Sequence, residues 1–470
     1  MARKNRNFEV EDALVVDLDS KGRGVVKHND KVIFVPDTCP GDSIHLKTFR
    51  KKKSFFEGTA LKINTPSEHR VSPFCIHFDD CGGCKLQHVS YDKQLAFKEK
   101  SVRDAIERIA KVPYDEFEPI LGCEQTSLYR NKLEFSASDS RWITKAEAQS
   151  SNDFKQENGL GFHVPGRFDK ILHVTDCHFQ PEPSNAIRNA AFSFAEEQGI
   201  PFYNPKSHEG IFRSVLIRNN HEGDFMVVIM VTSEGRQQAT DMLLHLKELF
   251  PEIKSGQYIL NDKVNDTIYD LHPKVVFGTS EISQKIGEHS FKVDPKSFMQ
   301  TNTQQTIKLY DVAREYAQLK GDEVLYDLFC GVGTIGMYLS NTCKEVIGIE
   351  TVPEAIKKAR ENAINNGVEN IRFETGSVEH VLTEEFRQKY PLPNVVICDP
   401  PRMGMHAKVV TALLEMQPDR IVYVSCNPST QARDIALLNE KYHLRKIKPV
   451  DMFPHTPHIE SVALLELKTV

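Results

Sequence analysis

EVLYDLFCGVGTIG, Glu323–Gly336, decides how the second half of this chain folds. A run with strand character ends in a glycine-bearing loop, and a helical stretch, TIGMYLS, follows at once. Gly331 and Gly333 let the backbone come close to a ligand at the helix N-terminus. EVIGIE then ends at Glu350, 23 positions after Asp327. A carboxylate at the end of a second strand is placed to accept hydrogen bonds from ribose hydroxyls. Further on, the strand-like IRFETG, NVVICD and RIVYVSC alternate with the helical PEAIKKARENAINN, AKVVTALLEM and STQARDIALLNEK. That alternation predicts a parallel, doubly wound sheet. Two strand-like runs joined by a Pro/His loop end the pattern, and an antiparallel pair closing the sheet edge is expected there.

Dinucleotide-binding loops carry three spaced glycines for the pyrophosphate. This loop has an acid, Asp327, before it and continues Gly333-Thr334-Ile335-Gly336. It resembles the S-adenosylmethionine loop of Rossmann-like methyltransferases. Gly376-Ser377, after IRFET, stands where such proteins hold the adenine. Cys330, inside the loop, reads as a packing residue.

Ligands of open α/β sheets bind beyond the carboxyl ends of the strands. Two strand ends there carry chemistry: Asp399-Pro400-Pro401-Arg402 and Ser425-Cys426-Asn427-Pro428. Amino-group methyltransferases place an aromatic after the two prolines to stack on the base. Arg402 occupies that position, which disfavours an adenine-amino enzyme. Methylating an amine needs no protein nucleophile. Carbon 5 of uracil is too weakly nucleophilic by itself, and a thiolate added at carbon 6 activates it. A base must then remove the carbon-5 proton. The tail loop His455-Thr456-Pro457-His458-Ile459-Glu460-Ser461 offers candidates, of which Glu460 is the best.

The first half differs. Five short strand-like runs between residues 8 and 65, separated by DSKG, HND, TCPGD and RKKK, predict a small β-barrel. The first 70 residues hold 14 Lys/Arg against 10 Asp/Glu in a chain of net charge -6. Arg50-Lys51-Lys52-Lys53 beside Phe55-Phe56 suits either a solvated turn or a surface for phosphates and bases. Helical periodicity runs over 92–110, mixed strands and helices over 129–290, and QSSNDFKQEN (149–158) reads as a polar loop. No apolar run approaches the ~18–20 residues of a membrane span. MARKNRNFEVED has no apolar stretch behind it, so no signal peptide is expected. Ten scattered cysteines fit reduced thiols in a cytoplasmic protein better than a disulfide scaffold.

Cys75, Cys81 and Cys84 form a C-x(5)-C-x(2)-C cluster with Gly82-Gly83 between the last two. Such spacing suggests chelation, and zinc and an iron–sulfur cluster are both compatible with it. Cys177, in a strand-like VTDCHF, and Cys123 compete as a fourth ligand.

D-L-F-C-G-x-G, D-P-P-R, S-C-N-P and H-x-x-H-x-E-S, in this order, resemble the RNA uracil-5-carbon methyltransferase family over essentially the whole chain. The resemblance implies Cys426 as nucleophile and Glu460 as base. Asp399 would lie near uracil and donor, and Gln300, in a segment similar to the family's S-F-x-Q-x-N, would join Phe329, Thr334, Glu350 and Ser377 around S-adenosylmethionine. Thr334 and Ser377 stand where the family often has Asn or Asp, and Pro457 where Gly is common. Arg130 and Lys132 match a basic motif that contacts phosphate. The ribosomal RNA members imply a 4Fe–4S cluster on Cys75, Cys81, Cys84 and Cys177, and a TRAM barrel, an OB-like RNA-binding module. The implied architecture is a TRAM-like barrel at 1–66, an α+β central domain at 67–295 and a Rossmann-like methyltransferase domain with a mixed, mostly parallel sheet at 296–470, with helix 92–111 able to pack on the last. The implied substrate is 23S rRNA, with transfer RNA uridine, an amine, or a non-catalytic RNA-binding role as the alternatives.

Overall fold

The computed structural model describes residues 7–150 and 156–469. The first six residues of the N-terminal reading, and residues 151–155 of the polar loop, lie outside them. Residues Glu9–Leu18, Gly24–His28, Lys31–Val35, Ser43–Lys51 and Phe56–Thr65 close into a five-stranded barrel in the order first, second, third, fifth, fourth. Alternating Val15, Val26, Ile33, Val35, Ile44 and Leu46 fill it. A side chain at Gly24 would meet Thr38 Oγ1 at 2.0 Å, so only glycine lets the barrel close there. Phe56 belongs to this core and is no stacking aromatic, whereas Arg50–Lys53 are fully exposed.

A seven-stranded mixed sheet follows, with Phe212–Asn219 and Phe225–Val231 at its centre. Every residue of these two strands is buried, as expected when both faces are covered. Val215, Ile217, Val227 and Ile229 pack against helices Ser184–Glu197 and Arg236–Leu249. The other face sends Leu216, Met226 and Val228 into the core of the next sheet.

That third sheet has eight strands, in the order 371–375, 345–350, 324–328, 395–398, 420–425, 460–467, 442–450, 114–117. The first five are parallel, and Glu460–Leu467 inserts antiparallel between Arg420–Ser425 and Tyr442–Val450. The tail pair therefore does not form the sheet edge. Tyr114–Phe117 does, paired parallel to Tyr442–Val450. Helix Tyr91–Ala105 and a π-helical turn, Ile106–Ala110, bring Val102, Ala105 and Ile106 against Tyr423, Ile435 and Leu444. Hairpin Ile282–Ile286 and His289–Val293 likewise buries Ile282, Ile286 and Phe291 with Leu309 and Ile335. The helix expected to be able to pack on the last domain does so, and this hairpin, which precedes residue 295, contributes to the same core. Cys177 lies in an irregular loop after Ile171–His173 instead of a strand. Among the described residues, no helix is long and apolar enough to cross a membrane.

Candidate active site and a four-thiol cavity

Strand Val324–Leu328 ends in a tight loop. Phe329, Gly331 and Gly333 all have left-handed backbone, at φ 65°, 56° and 80°. Phe329 is the only one of the three for which that conformation is strained. Asp327 Oδ2 accepts the Gly336 amide at 2.8 Å and so ties the helix start back to the strand. Glu350 Oε2 accepts the Gly331 amide at 3.1 Å, and its other oxygen accepts the amides of Thr351 and Val352. Burial, with Asp399 and Glu350 nearby, pushes the Asp327 carboxyl up to about 7. Gln300, Phe329, Thr334, Glu350, Ser377 and Asp399 are all half-buried, as residues lining an open cleft are. Besides Glu350, two have local partners already: Thr334 Oγ1 meets the Tyr310 hydroxyl at 2.8 Å, and Ser377 Oγ meets His380 Nδ1 at 2.8 Å.

The thiol and the carboxyl meet through strand register. Ser425 pairs with Ser461 across the ladder. Cys426 and Glu460, the residues just beyond that rung, therefore come together at the sheet's carboxyl edge. Cys426 is half-buried, and Asn427 caps helix Pro428–Leu438 by accepting the Ser429 amide at 3.1 Å, turning the chain immediately after the thiol. Burial, then Glu460 and Asp399, push the Cys426 thiol up to about 11, and Arg402 opposes them. Glu460 is 3 % exposed, and its Oε2 has no hydrogen-bond partner. Burial and the Asp399 carboxyl raise it far above the usual carboxylate range, against Arg402. A thiol and a buried carboxyl so arranged can add to an electron-poor double bond and take a proton from the adjoining carbon. His455 is turned away, its Nδ1 3.2 Å from Gln94 Nε2, and burial drives it down to about 4.

The loop carrying Glu460 is held by groups that belong to no sequence motif. Lys98 and Asp451 form an ion pair of 2.6 Å with both side chains fully buried. Lys98 also donates to the Phe453 carbonyl, and Tyr91 to Asp451 Oδ2. These partners lie more than 350 residues apart in sequence.

On the loop's other side Cys75, Cys81, Cys84 and Cys177 line one cavity of about 140 Å³, together with Tyr129 and Thr456. The Gly83 amide points at Cys81 Sγ, 3.3 Å away. Burial raises all four thiols, Cys177 to about 11, and neighbouring thiols add to the rise at Cys75, Cys84 and Cys177. Cys123 lies elsewhere, its Sγ donating to the Asp451 carbonyl at 2.9 Å. Among the described residues no group of three or more His, Cys, Asp or Glu is arranged to hold a metal ion. Tyr129 OH donates to the Pro454 carbonyl at 3.1 Å, so the cavity wall and the Glu460 loop are joined.

Fold and cleft together define an α/β methyltransferase. The sequence model of the tRNA (uracil-5-)-methyltransferase family matches residues 270–468. An RNA methyltransferase of Bacteroides thetaiotaomicron is 45% identical over 452 residues, 96% of this chain and 100% of that protein. One of Porphyromonas gingivalis is 44% identical over 462 residues, 97% and 99% of the two. Among solved structures, the Pyrococcus abyssi tRNA (uracil-54, C5)-methyltransferase in complex with S-adenosyl-L-homocysteine superposes with a TM-score of 0.75 at 29% identity, over 97% of this chain and 100% of that one. The chain belongs to the RNA uracil-5-methyltransferase family and is an S-adenosylmethionine-dependent enzyme acting on RNA.

Proposed function

We propose that the enzyme methylates carbon 5 of an unpaired uridine in 23S ribosomal RNA, with Cys426 as nucleophile and Glu460 as base. The register pairing of Cys426 with Glu460 at the mouth of the donor loop carries this reading. Burial holds Cys426 toward its neutral thiol form, so its proton must pass to solvent as the uracil docks. The sulfur then bonds to carbon 6, and the carbon 5–carbon 6 double bond becomes an enolate. S-adenosylmethionine supplies an electrophilic methyl group, which carbon 5 takes as the donor's sulfur–methyl bond breaks. The same burial holds Glu460 toward its neutral form, so it too must release its proton to solvent before the desolvated carboxylate, without a partner for Oε2, accepts the carbon-5 proton. Re-formation of the double bond expels the Cys426 sulfur. A paired uracil hides this edge, so the target must be flipped or single-stranded.

Gln300, Phe329, Thr334, Glu350 and Ser377 hold the donor in this reading, and Asp399 sits between donor and base. The barrel, with its exposed Arg50–Lys53, is the TRAM-type RNA-binding module, and the site of action is the cytoplasm. Four thiols ringing an apolar cavity suit a 4Fe–4S cluster. Bound there, the cluster supplies structure, since methyl transfer needs no electrons.

A second reading, transfer RNA as substrate, is favoured by the P. abyssi enzyme. Its match runs the full length of both chains, so architecture does not separate the two RNAs. Incubating the protein with labelled donor and with unmodified 23S rRNA or tRNA transcripts, then mapping 5-methyluridine, tests both. Methyl groups found only in tRNA would sink the ribosomal assignment. A 5-fluorouridine RNA is expected to leave a covalent protein–RNA adduct.

A further inference from the structure

A second cavity, of about 360 Å³, lies where the central sheet meets the methyltransferase domain. None of the donor-cleft residues lines it, and among the described residues no Asp or Glu does. Three features give it chemical character. The 15-residue helix Thr303–Ala317 begins at its wall. The Asn302 side chain caps the Gln305 amide and its carbonyl takes the Thr306 amide, which leaves the amides of Thr303 and Gln304 for an anion. Two cations, Arg130 and Lys285, line the same wall. The third feature is Asn131, 7 % exposed. Its Nδ2 donates to the Gln300 carbonyl at 3.0 Å and to Thr303 Oγ1 at 2.9 Å, while its Oδ1, buried, has no partner.

A bare phosphate would satisfy the cations and the helix amides but set its charge against that oxygen. The missing partner is a donor on the same ligand as the anion: a base N–H or a ribose hydroxyl. Phosphate plus such a donor is a nucleotide, and the volume lies in the roughly 300–1,000 Å³ range of small-molecule sites. The cavity also shares a wall with the catalytic cleft. The Arg130 guanidinium lies 5.4 Å from the Phe453 ring centre on the Glu460 loop, and Asn131 holds the backbone of Gln300. We infer that this recess takes an unpaired RNA nucleotide neighbouring the target uridine, its phosphate on Arg130, Lys285 and the start of helix Thr303–Ala317, its base or ribose donating to Asn131. The inference rests on the reading of RNA as the substrate that enters the Cys426 cleft.

The test uses Lys285→Glu and Gln304→Glu. The second puts a carboxylate in a helix's first turn, which helices tolerate well. Both proteins are checked for wild-type thermal unfolding. Direct binding of 23S rRNA and tRNA transcripts is measured by anisotropy against salt, beside the KM for RNA and for S-adenosylmethionine. Each variant is expected to bind RNA about tenfold more weakly. The Lys285 variant's slope of log affinity against log salt should shrink by about one. The KM for the donor should not change. Wild-type RNA affinity and salt slope in both variants overturn the inference. Wild-type crystals soaked with AMP, CMP, GMP or UMP should show one of them in the recess. If these bind while RNA affinity is unchanged in the variants, the recess is a free-nucleotide site and the inference fails. Failure of the functional reading looks different: wild-type protein would bind RNA without forming 5-methyluridine.

Discussion

Two regions of this protein hold thiols pushed up to about 11, and for different reasons. At Cys426 the cause is burial plus two carboxyls on a half-open strand end. At Cys177 it is burial plus other thiols around a partly open cavity. On the proposed function, a substrate completes the first environment and a permanent ligand the second. Cys398 and Cys330, also driven upward by burial and by nearby carboxyls, are closed off from solvent and read as inert core. Environment, more than residue type, separates a reacting cysteine from a ligating one.

Breaking the first region should have the largest effect. Cys426→Ala is expected to lower methyl transfer by about 10⁴-fold or more and to abolish the 5-fluorouridine adduct; a rate near wild type would remove the nucleophile assignment. Glu460→Gln should still methylate once but release slowly, with turnover down about 10²–10⁴-fold. The methylated RNA should then run as a covalent complex on a denaturing gel with ordinary uridine, and free product in its place would move the base elsewhere. In the second region, Cys81→Ser and Cys177→Ser should each lose iron and acid-labile sulfide from anaerobically prepared protein. Stoichiometric zinc in the wild type would replace the cluster reading. Lys98→Met strands Asp451 in the interior and should destabilise the fold by about 3–5 kcal/mol in denaturant titrations. Lys98→Met with Asp451→Asn should recover much of that loss, which separates a stranded charge from lost packing.

The smallest effect sharpens the contrast through pH. Only thiolate alkylates, and a thiol raised to about 11 is almost wholly protonated at pH 7. Alkylation of Cys426 in the free protein, followed by peptide mass spectrometry, should therefore rise about tenfold per unit between pH 7 and 10. A plateau below pH 8 would mean that the carboxyls do not oppose its ionisation.

What the sequence disclosed follows the same division. Local patterns made the barrel strands, the donor loop and the ends of strands 395–398 and 420–425 legible, because a strand that ends in glycine or proline announces itself. The insertion of Glu460–Leu467 between two earlier strands was not legible, since antiparallel register is set by partners far away in the chain. Nor was Lys98–Asp451, whose halves each look like ordinary surface charges until packing removes the water. Cys177 and Cys123 could be separated only by where their chains run. The recess beside Asn131 has no motif, because its walls come from five separate segments.

The place of strand Glu460–Leu467 also governs the order of events during synthesis. It follows in the chain every strand it joins, and it must slide between two of them. Until it does, Cys426 does not face Glu460. A chain that stops short of this strand therefore already carries its glycine-bearing loop and its thiol but, in the proposed scheme, lacks the means of letting an RNA go. Completing the sheet is, in that scheme, what completes the catalytic pair.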